Sequence, residues 1–213
     1  ALLSDKTCAI VVEPVQGEGG VNPAEKDFLE GLRALCDKHN ALLVFDEIQT
    51  GVGRSGELYA YMKYGVTPDI LTTAKSLGGG FPVAAMLTTA SIAQSFGVGT
   101  HGSTYGGNPL ACAVAEALLS ELYDKNVMTG VVEKEQRFLS ALKGLNDKYS
   151  VFKELRSCGL LLGCEMADKY QGKARDIMMH AMDHGLMVLI AGPNVLRLAP
   201  SLIISDDDID VGI

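Results

Sequence analysis

Ala41-Leu-Leu-Val-Phe-Asp46-Glu47 and Asp69-Ile-Leu-Thr-Thr-Ala-Lys75 decide how this chain folds. Each is a short apolar run that ends on charge. Runs of this length read as strands buried on both faces, the kind found in parallel sheets. In open α/β sheets the ligand crevice lies outside the carboxyl ends of the strands. Asp46 and Lys75 both fall at such ends, about 30 residues apart, a separation that suits one βαβ crossover.

A carboxylate at the end of a buried strand is costly to desolvate unless a cation or several donors meet it. The pKa of a lysine moves readily on burial, and a desolvated lysine condenses with a carbonyl. Lys75 stands among Thr, Ala, Ser and Gly, with room for something large against it. A pyridoxal cofactor uses such a pair, its aldehyde held by lysine and its ring nitrogen held charged by a carboxylate. The other reading is a capping aspartate and a surface lysine before the turn Gly78-Gly-Gly80. Spacing alone leaves both open.

A length of 213 residues bounds the chain to one or two domains, and 47% apolar residues are ample for a core. A net charge of −8 and a pI near 5.0 argue against nucleic acid or an anionic membrane as partner. No apolar run approaches membrane-spanning length. The first residues, Ala-Leu-Leu-Ser-Asp-Lys, lack the basic and then apolar plan of a signal peptide. Cys8, Cys36, Cys112, Cys158 and Cys164 are an odd number without a Cys-x-x-Cys pair. They read as small buried residues of a reducing cytoplasm.

Along the chain, a strand at 9–13 leads into the loop Gln16-Gly-Glu-Gly-Gly20. Pro23 and Ala24 open a helix to about His39, with Phe28, Leu29, Leu32 and Leu35 on one face. The Asp46 strand, a helix near 58–64, the Lys75 strand and a strand candidate from Val83 follow. This alternation indicates an α/β layer. After Tyr105-Gly-Gly-Asn-Pro109 the texture changes to two long helices, near 110–123 and 127–147. Strands at 151–155, 160–165, 187–190 and 195–198, with a helix at 173–183, then make an α+β unit.

Three motifs compete. Gly51-Val-Gly-Arg-Ser-Gly56 spells the dinucleotide fingerprint, but Asp46 and Glu47 at the strand end would repel a diphosphate. His180-Ala-Met-Asp-His184 has zinc-helix spacing without the metalloprotease glutamate or a third ligand cluster, so no metal is assigned. His101 lies near Ser103 and Thr104, but no Gly-x-Ser-x-Gly elbow surrounds Ser103. The turns Gly17–Gly20 and Gly78–Gly80 could cradle phosphate, and for the second a plain tight turn is the better reading.

Four motifs in order resemble the class III pyridoxal-phosphate aminotransferases. They are Glu13-Pro-Val-Gln-Gly-Glu-Gly-Gly20, Asp46-Glu-Ile-Gln-Thr-Gly51, Thr73-Ala-Lys-Ser-Leu-Gly-Gly-Gly80 and Gly102-Ser-Thr-Tyr-Gly-Gly-Asn-Pro109. The likeness covers the whole chain and leans toward acetylornithine and succinylornithine aminotransferases. It implies a fold-type I architecture: residues 1–108 as the C-terminal part of a large, mainly parallel-sheet α/β domain, 109–125 as a connecting helix, and 126–213 as a small α+β domain. Lys75 would carry pyridoxal 5'-phosphate and Asp46 would pair with its ring nitrogen. Glu47, Ile48, Gln49 and Thr104 would complete the cofactor contacts, with Ile48 on the ring face and Thr104 at the phosphate. Ser103, Arg197 and Glu18 would face substrate, Arg197 as a carboxylate fork with Glu18 as its counter-charge. In the family Ser103 and Thr104 come from a partner subunit, so a homodimer is implied.

The implied reaction passes an amino group from N2-acetylornithine to 2-oxoglutarate in arginine biosynthesis, in the cytoplasm. Succinylornithine is the rival donor, ornithine and 4-aminobutyrate are more distant ones, and a cofactor-free scaffold domain is the non-enzymatic alternative. Ser205-Asp-Asp-Asp208 opens a helix with little chain after it, and a core strand stands almost at the start. The chain thus reads as the C-terminal half of a longer polypeptide, and the resemblance implies a phosphate cup, a stacking aromatic and a further arginine upstream.

Overall fold

The computed structural model describes residues 3–213. In chain order its first elements are β1 (Ala9–Val12), β2 (Val15–Gln16), β3 (Asn22–Pro23), α1 (Lys26–His39), β4 (Leu42–Asp46), α2 (Ala60–Tyr64) and β5 (Ile70–Thr73). A 3₁₀ turn at Lys75–Gly78, β6 (Ala85–Thr88), α3 (Ala90–Ala93), α4 (Pro109–Asp124) and α5 (Val127–Tyr149) follow. Then come β7 (Phe152–Cys158), β8 (Leu161–Met166), α6 (Ala174–Asp183), β9 (Leu189–Ile190), β10 (Val195–Leu198) and α7 (Asp206–Gly212).

Packing divides the chain into two units. The first takes residues up to Pro14, 24–52 and 59–125; the second takes 15–23, 53–58 and 126–213. Residues 15–23 and 53–58, inside the 1–108 span expected of the large domain, pack with the second unit. Val15 and Val21 bury against Cys158 and Leu161 of the second unit. Within that unit Leu160 exchanges hydrogen bonds with Arg54, its N–H to the Arg54 carbonyl (2.9 Å) and its carbonyl from Arg54 Nη1 (2.9 Å).

In the first unit the strands lie in the order β1-β4-β5-β6. β1, β4 and β5 run parallel, with Val11 opposite Val44 and Asp46 opposite Thr72. β6 runs antiparallel to β5. Helix α1 makes the crossover from β1 to β4. Its buried stripe is Leu29, Leu32 and Cys36, set against Ala41, Leu43, Phe45 and Val66. Phe28 and Leu35, expected on that face, are 53% and 39% exposed. The helix starts three residues later than expected, because Pro23 belongs to β3. It ends on Asn40 in the left-handed region, whose N–H returns to Asp37 and Cys36 carbonyls. Asp69 fixes the start of β5 by accepting from Leu43 N–H (2.7 Å) and Arg33 Nη1 (2.8 Å) through one oxygen. Helix α4 opens on Asn108, whose Oδ1 accepts from Ala111 N–H (2.9 Å), with Pro109 in its first turn.

The second unit is an antiparallel sheet in the order β7-β8-β10-β9. β8 is central and buried on both faces. One face presents Leu162, Cys164 and Met166 to a core with Val131, Phe138, Leu142 and Ile209 from the helices. The other presents Leu161 to the β2–β3 hairpin through Val15 and Val21. Short α7 is anchored by buried Ile209 and by Asp210, paired with Arg137 Nη2 at 2.5 Å. The cysteines divide: Cys36, Cys158 and Cys164 are buried, whereas Cys8 and Cys112 are exposed, against the expectation of burial for all. Burial pushes the Cys164 thiol up to about 12.

Candidate active site

β4 and β5 are parallel neighbours, so their carboxyl ends share one edge of the sheet. Asp46 closes β4 opposite Thr72, and Lys75 stands three residues beyond Thr72. The Asp46 side chain is half-buried and its Oδ1 accepts from Ile48 N–H at 3.0 Å. Among the described residues Oδ2 has no such donor, so the carboxylate keeps acceptor capacity. Lys75 is exposed, and among the described residues it makes no ion pair. Its backbone is left-handed, φ 46°. For a residue with a Cβ that strain costs about 1–3 kcal/mol and persists where the surroundings enforce it, most often at functional sites. The enforcing partner is helix α4, which packs on the turn 75–78. A Cβ on Gly79 would lie 2.8 Å from Leu118 of that helix, and Gly79 itself has φ 55°.

Glu47 serves the protein. It is fully buried, and its carboxylate accepts from Thr50 Oγ1 (2.6 Å), Ala60 N–H (2.7 Å) and Tyr61 N–H (2.7 Å). The last two are orphan donors of the first turn of α2, whose own N-cap, Tyr59, supplies no side-chain bond. Burial pushes the Glu47 carboxyl above its ordinary range, against the opposing pull of these hydrogen bonds. Both Glu47 oxygens are thus engaged by protein donors. The same geometry disposes of the dinucleotide reading of Gly51–Gly56, because the next helix N-terminus already holds a carboxylate.

Ile48 and Gln49 are half-buried just past β4. Ser103 and Thr104 lie in an exposed loop, where Ser103 Oγ accepts from Gly106 N–H at 3.0 Å. Among the described residues no hydrogen bond or ion pair joins Ser103 or Thr104 to Asp46 or Lys75. The His180 and His184 rings lie 4.6 Å apart and tilted at 57°, and His184 Nδ1 bonds the His180 carbonyl (2.9 Å). Among the described residues no group of His, Cys, Asp and Glu is arranged to hold a metal.

In the second unit Arg197 Nη1 donates to Glu18 Oε1 at 2.6 Å, with the arginine side chain 11% exposed and the glutamate 69%. An exposed acid thus covers a largely buried fork. Arg54 holds the strand that carries Arg197, donating from Nη1 to the Pro200 carbonyl at 2.6 Å as well as to Leu160. Burial lowers the Arg54 guanidinium to about 10, so it stays charged at neutral pH.

Sequence reasoning missed Arg156. Its Nε donates to the Val21 carbonyl (3.1 Å) and Nη2 to the Gly20 carbonyl (2.9 Å), while Nη1 meets Glu154 (2.6 Å) and Glu165. Burial alone would lower this guanidinium, but hydrogen bonds to Glu165 and Glu154 raise it, and Arg156 in turn holds Glu165 below the ordinary carboxylate range. The signal available was Gly163 inside an apolar strand, which marks close backbone approach.

The family description "aminotransferase class-III" matches residues 1–213. The chain is a class III aminotransferase chain. It is 62% identical over 213 residues to succinylornithine transaminase of Yersinia enterocolitica, covering all of this chain and 51% of that protein. It is 59% identical to acetylornithine aminotransferase 1 of Pseudomonas syringae pv. tomato, covering all of this chain and 53% of the relative. The crystal structure of N-acetylornithine aminotransferase from Stenotrophomonas maltophilia superposes with a TM-score of 0.90 at 43% identity, over 98% of this chain and 54% of that one. The chain therefore spans about half the length of the curated relatives it matches. The fold is that of the fold-type I transferases, and pyridoxal phosphate is the cofactor of the class III family. Among the described residues no helix is long and apolar enough to cross a membrane.

Proposed function

We propose that this chain belongs to a cytoplasmic, homodimeric aminotransferase that moves the δ-amino group of N2-acetylornithine to 2-oxoglutarate, giving N-acetylglutamate 5-semialdehyde and glutamate. The observation that carries the reading is the arrangement of Lys75 and Asp46 at the carboxyl ends of adjacent parallel strands, both with bonding capacity to spare. These groups fit pyridoxal phosphate: an amine that among the described residues has no ion pair, for the aldehyde, and a half-buried carboxylate for the ring nitrogen. The cofactor supplies an electron sink that stabilises charge at the substrate carbon.

Asp46 would hold a proton on the ring nitrogen through the oxygen that Ile48 N–H leaves unengaged. Lys75 Nζ would hold the aldehyde and would serve as the amine that moves a proton at the substrate carbon. Ile48 would hold one face of the ring and Gln49 its hydroxyl oxygen. Thr104 and Ser103, in an exposed loop, act on the site of the other subunit, which is why the function needs a dimer. Arg197 binds a carboxylate as a bidentate fork. Glu18 covers that fork when the acylated diamine enters, and releases it for the dicarboxylic acid.

Succinylornithine is the second reading, favoured by the 62% identity to a succinylornithine transaminase. Borohydride reduction of the complete enzyme followed by peptide mapping tests the cofactor assignment, with the label expected on Lys75; a label on Lys63 would overturn it. Separate half-reactions with acetylornithine, succinylornithine, ornithine and 4-aminobutyrate then rank the donors.

A further inference from the structure

Arg156, Gly163 and Arg197 form one row across the second unit's sheet. Arg156 of β7 pairs with Gly163 of β8, and Gly163 pairs with Arg197 of β10. The β2–β3 turn lies on that row. A Cβ on Gly163 would stand 2.7 Å from Val21 Cβ and 3.0 Å from the Gly20 carbonyl oxygen, so the turn rests directly on the bare backbone. Glu18 sits inside the turn, which Val21 N–H closes onto the Gly17 carbonyl at 3.4 Å. On one side of Gly163, Arg197 takes the Glu18 carboxylate. On the other, Arg156 takes the carbonyls of Gly20 and Val21.

These two carbonyls belong to a strained pair. Gly20 has φ 121° and Val21, a fully buried β-branched residue, has φ 53°. A valine in the left-handed region is an outlier that something must hold. The planar fork of Arg156 is suited to it, since Nε and Nη2 share one edge and reach two successive carbonyls while Nη1 faces Glu154 and Glu165.

We propose that Arg156 is a positioning residue for Glu18: by fixing the Gly20–Val21 backbone over Gly163 it sets the turn from which Glu18 reaches Arg197, and so sets how the enzyme divides itself between an acylated diamine and a dicarboxylic keto acid. The proposal rests on the covering role given to Glu18 above. Lysine at 156 keeps the charge beside Glu154 and Glu165 but donates from a point, which cannot serve both carbonyls in the same geometry.

The test uses single-turnover half-reactions of the complete enzyme, with glutamate and with acetylornithine, and reads the ratio of the two rates. Glu18→Gln should raise the ratio in favour of glutamate. Arg156→Lys should raise it in the same direction by about tenfold, within the up to 10²-fold that ångström-scale misplacement costs. In the double variant Arg156→Lys should add nothing further to the Glu18→Gln ratio. Gly163→Ala, which pushes the turn from below, should act like Arg156→Lys and decides the matter if the arginine variants do not fold. Equal losses in both half-reactions for Arg156→Lys and Gly163→Ala, or full additivity with Glu18→Gln, would overturn the positioning role while leaving the Glu18 reading intact. An unchanged ratio in Glu18→Gln would overturn that reading, and the proposal with it.

Discussion

At the carboxyl end of β4 and β5, Asp46 accepts a single backbone hydrogen bond and Lys75 stands exposed in a strained backbone. In the middle of the second unit's sheet, Arg156 spends Nε, Nη1 and Nη2 on the Gly20 and Val21 carbonyls and two carboxylates, and Arg197 is closed by Glu18. The first region is an open set of groups suited to receive a ligand. The second is a closed set that already holds one geometry. Polar groups left with capacity at a strand end serve chemistry, whereas polar groups saturated inside a sheet serve placement.

Removing an open group should cost rate, and removing a closed one should cost fold or selectivity. Lys75→Ala should reduce turnover the most, by about 10²–10⁴-fold or more, because under the proposed function it deletes both the aldehyde anchor and the proton carrier. Stopped-flow turnover of the complete enzyme with acetylornithine and 2-oxoglutarate measures it, and a thermal midpoint close to wild type should accompany the loss. A large drop in that midpoint would place Lys75 with the structural residues. Asp46→Asn comes next. The amide no longer favours a protonated ring nitrogen, and each unit of pKa lost there is about 1.4 kcal/mol, or tenfold in rate. Cofactor should remain bound, with its absorbance band present but shifted; near-normal turnover would remove Asp46 from the chemistry.

Glu47→Gln should act on the fold. An amide offers one acceptor oxygen where the three donors Thr50, Ala60 and Tyr61 converge. One donor is then left facing another, at a cost of about 1–3 kcal/mol. Hydrogen exchange at the Ala60 and Tyr61 amides is the local readout and should quicken while exchange in β8 does not. Unchanged protection would mean α2 holds its first turn without Glu47.

Much of this was legible in the sequence, for identifiable reasons. The apolar runs ending at Asp46 and Lys75 announced buried parallel strands, and Ser205 announced α7 through its cap, whose Oγ accepts from Asp208 N–H at 3.1 Å. The buried stripe of α1 was displaced because periodicity cannot say which of two overlapping apolar stripes faces the sheet; Leu29 and Cys36 went in, and Phe28 and Leu35 stayed out. The structural bonds of Glu47 were not legible because its backbone partners lie 13 and 14 residues on, at a helix start that carries no cap signal. The membership of 15–23 and 53–58 in the second unit was not legible. It depends on contacts across more than 100 residues, such as Arg54 with Leu160 and Arg156 with Val21.

The smallest expected effect sets the two regions against each other through pH. In Glu47 burial dominates and raises the folded-state pKa, so between the ordinary and raised values the folded state binds more protons than the unfolded one. The contribution of Glu47 to stability is then full below the ordinary carboxylate pKa and falls as pH rises through the raised value. In Glu165 the hydrogen bond from Arg156 dominates and lowers the pKa. Its contribution is present above the ordinary value and is lost as pH falls through the lowered one. Denaturation midpoints of wild type, Glu47→Gln and Glu165→Gln, followed from about pH 3 to pH 8, should therefore diverge in opposite senses. The gap between wild type and Glu47→Gln should narrow as pH rises. The gap between wild type and Glu165→Gln should close toward acid, and because Glu165 is partly solvated it should be the smaller of the two and the more sensitive to salt. Gaps that move in the same direction would show that the buried carboxylate of the first unit is governed by its donors, as the second unit's is, and not by its burial.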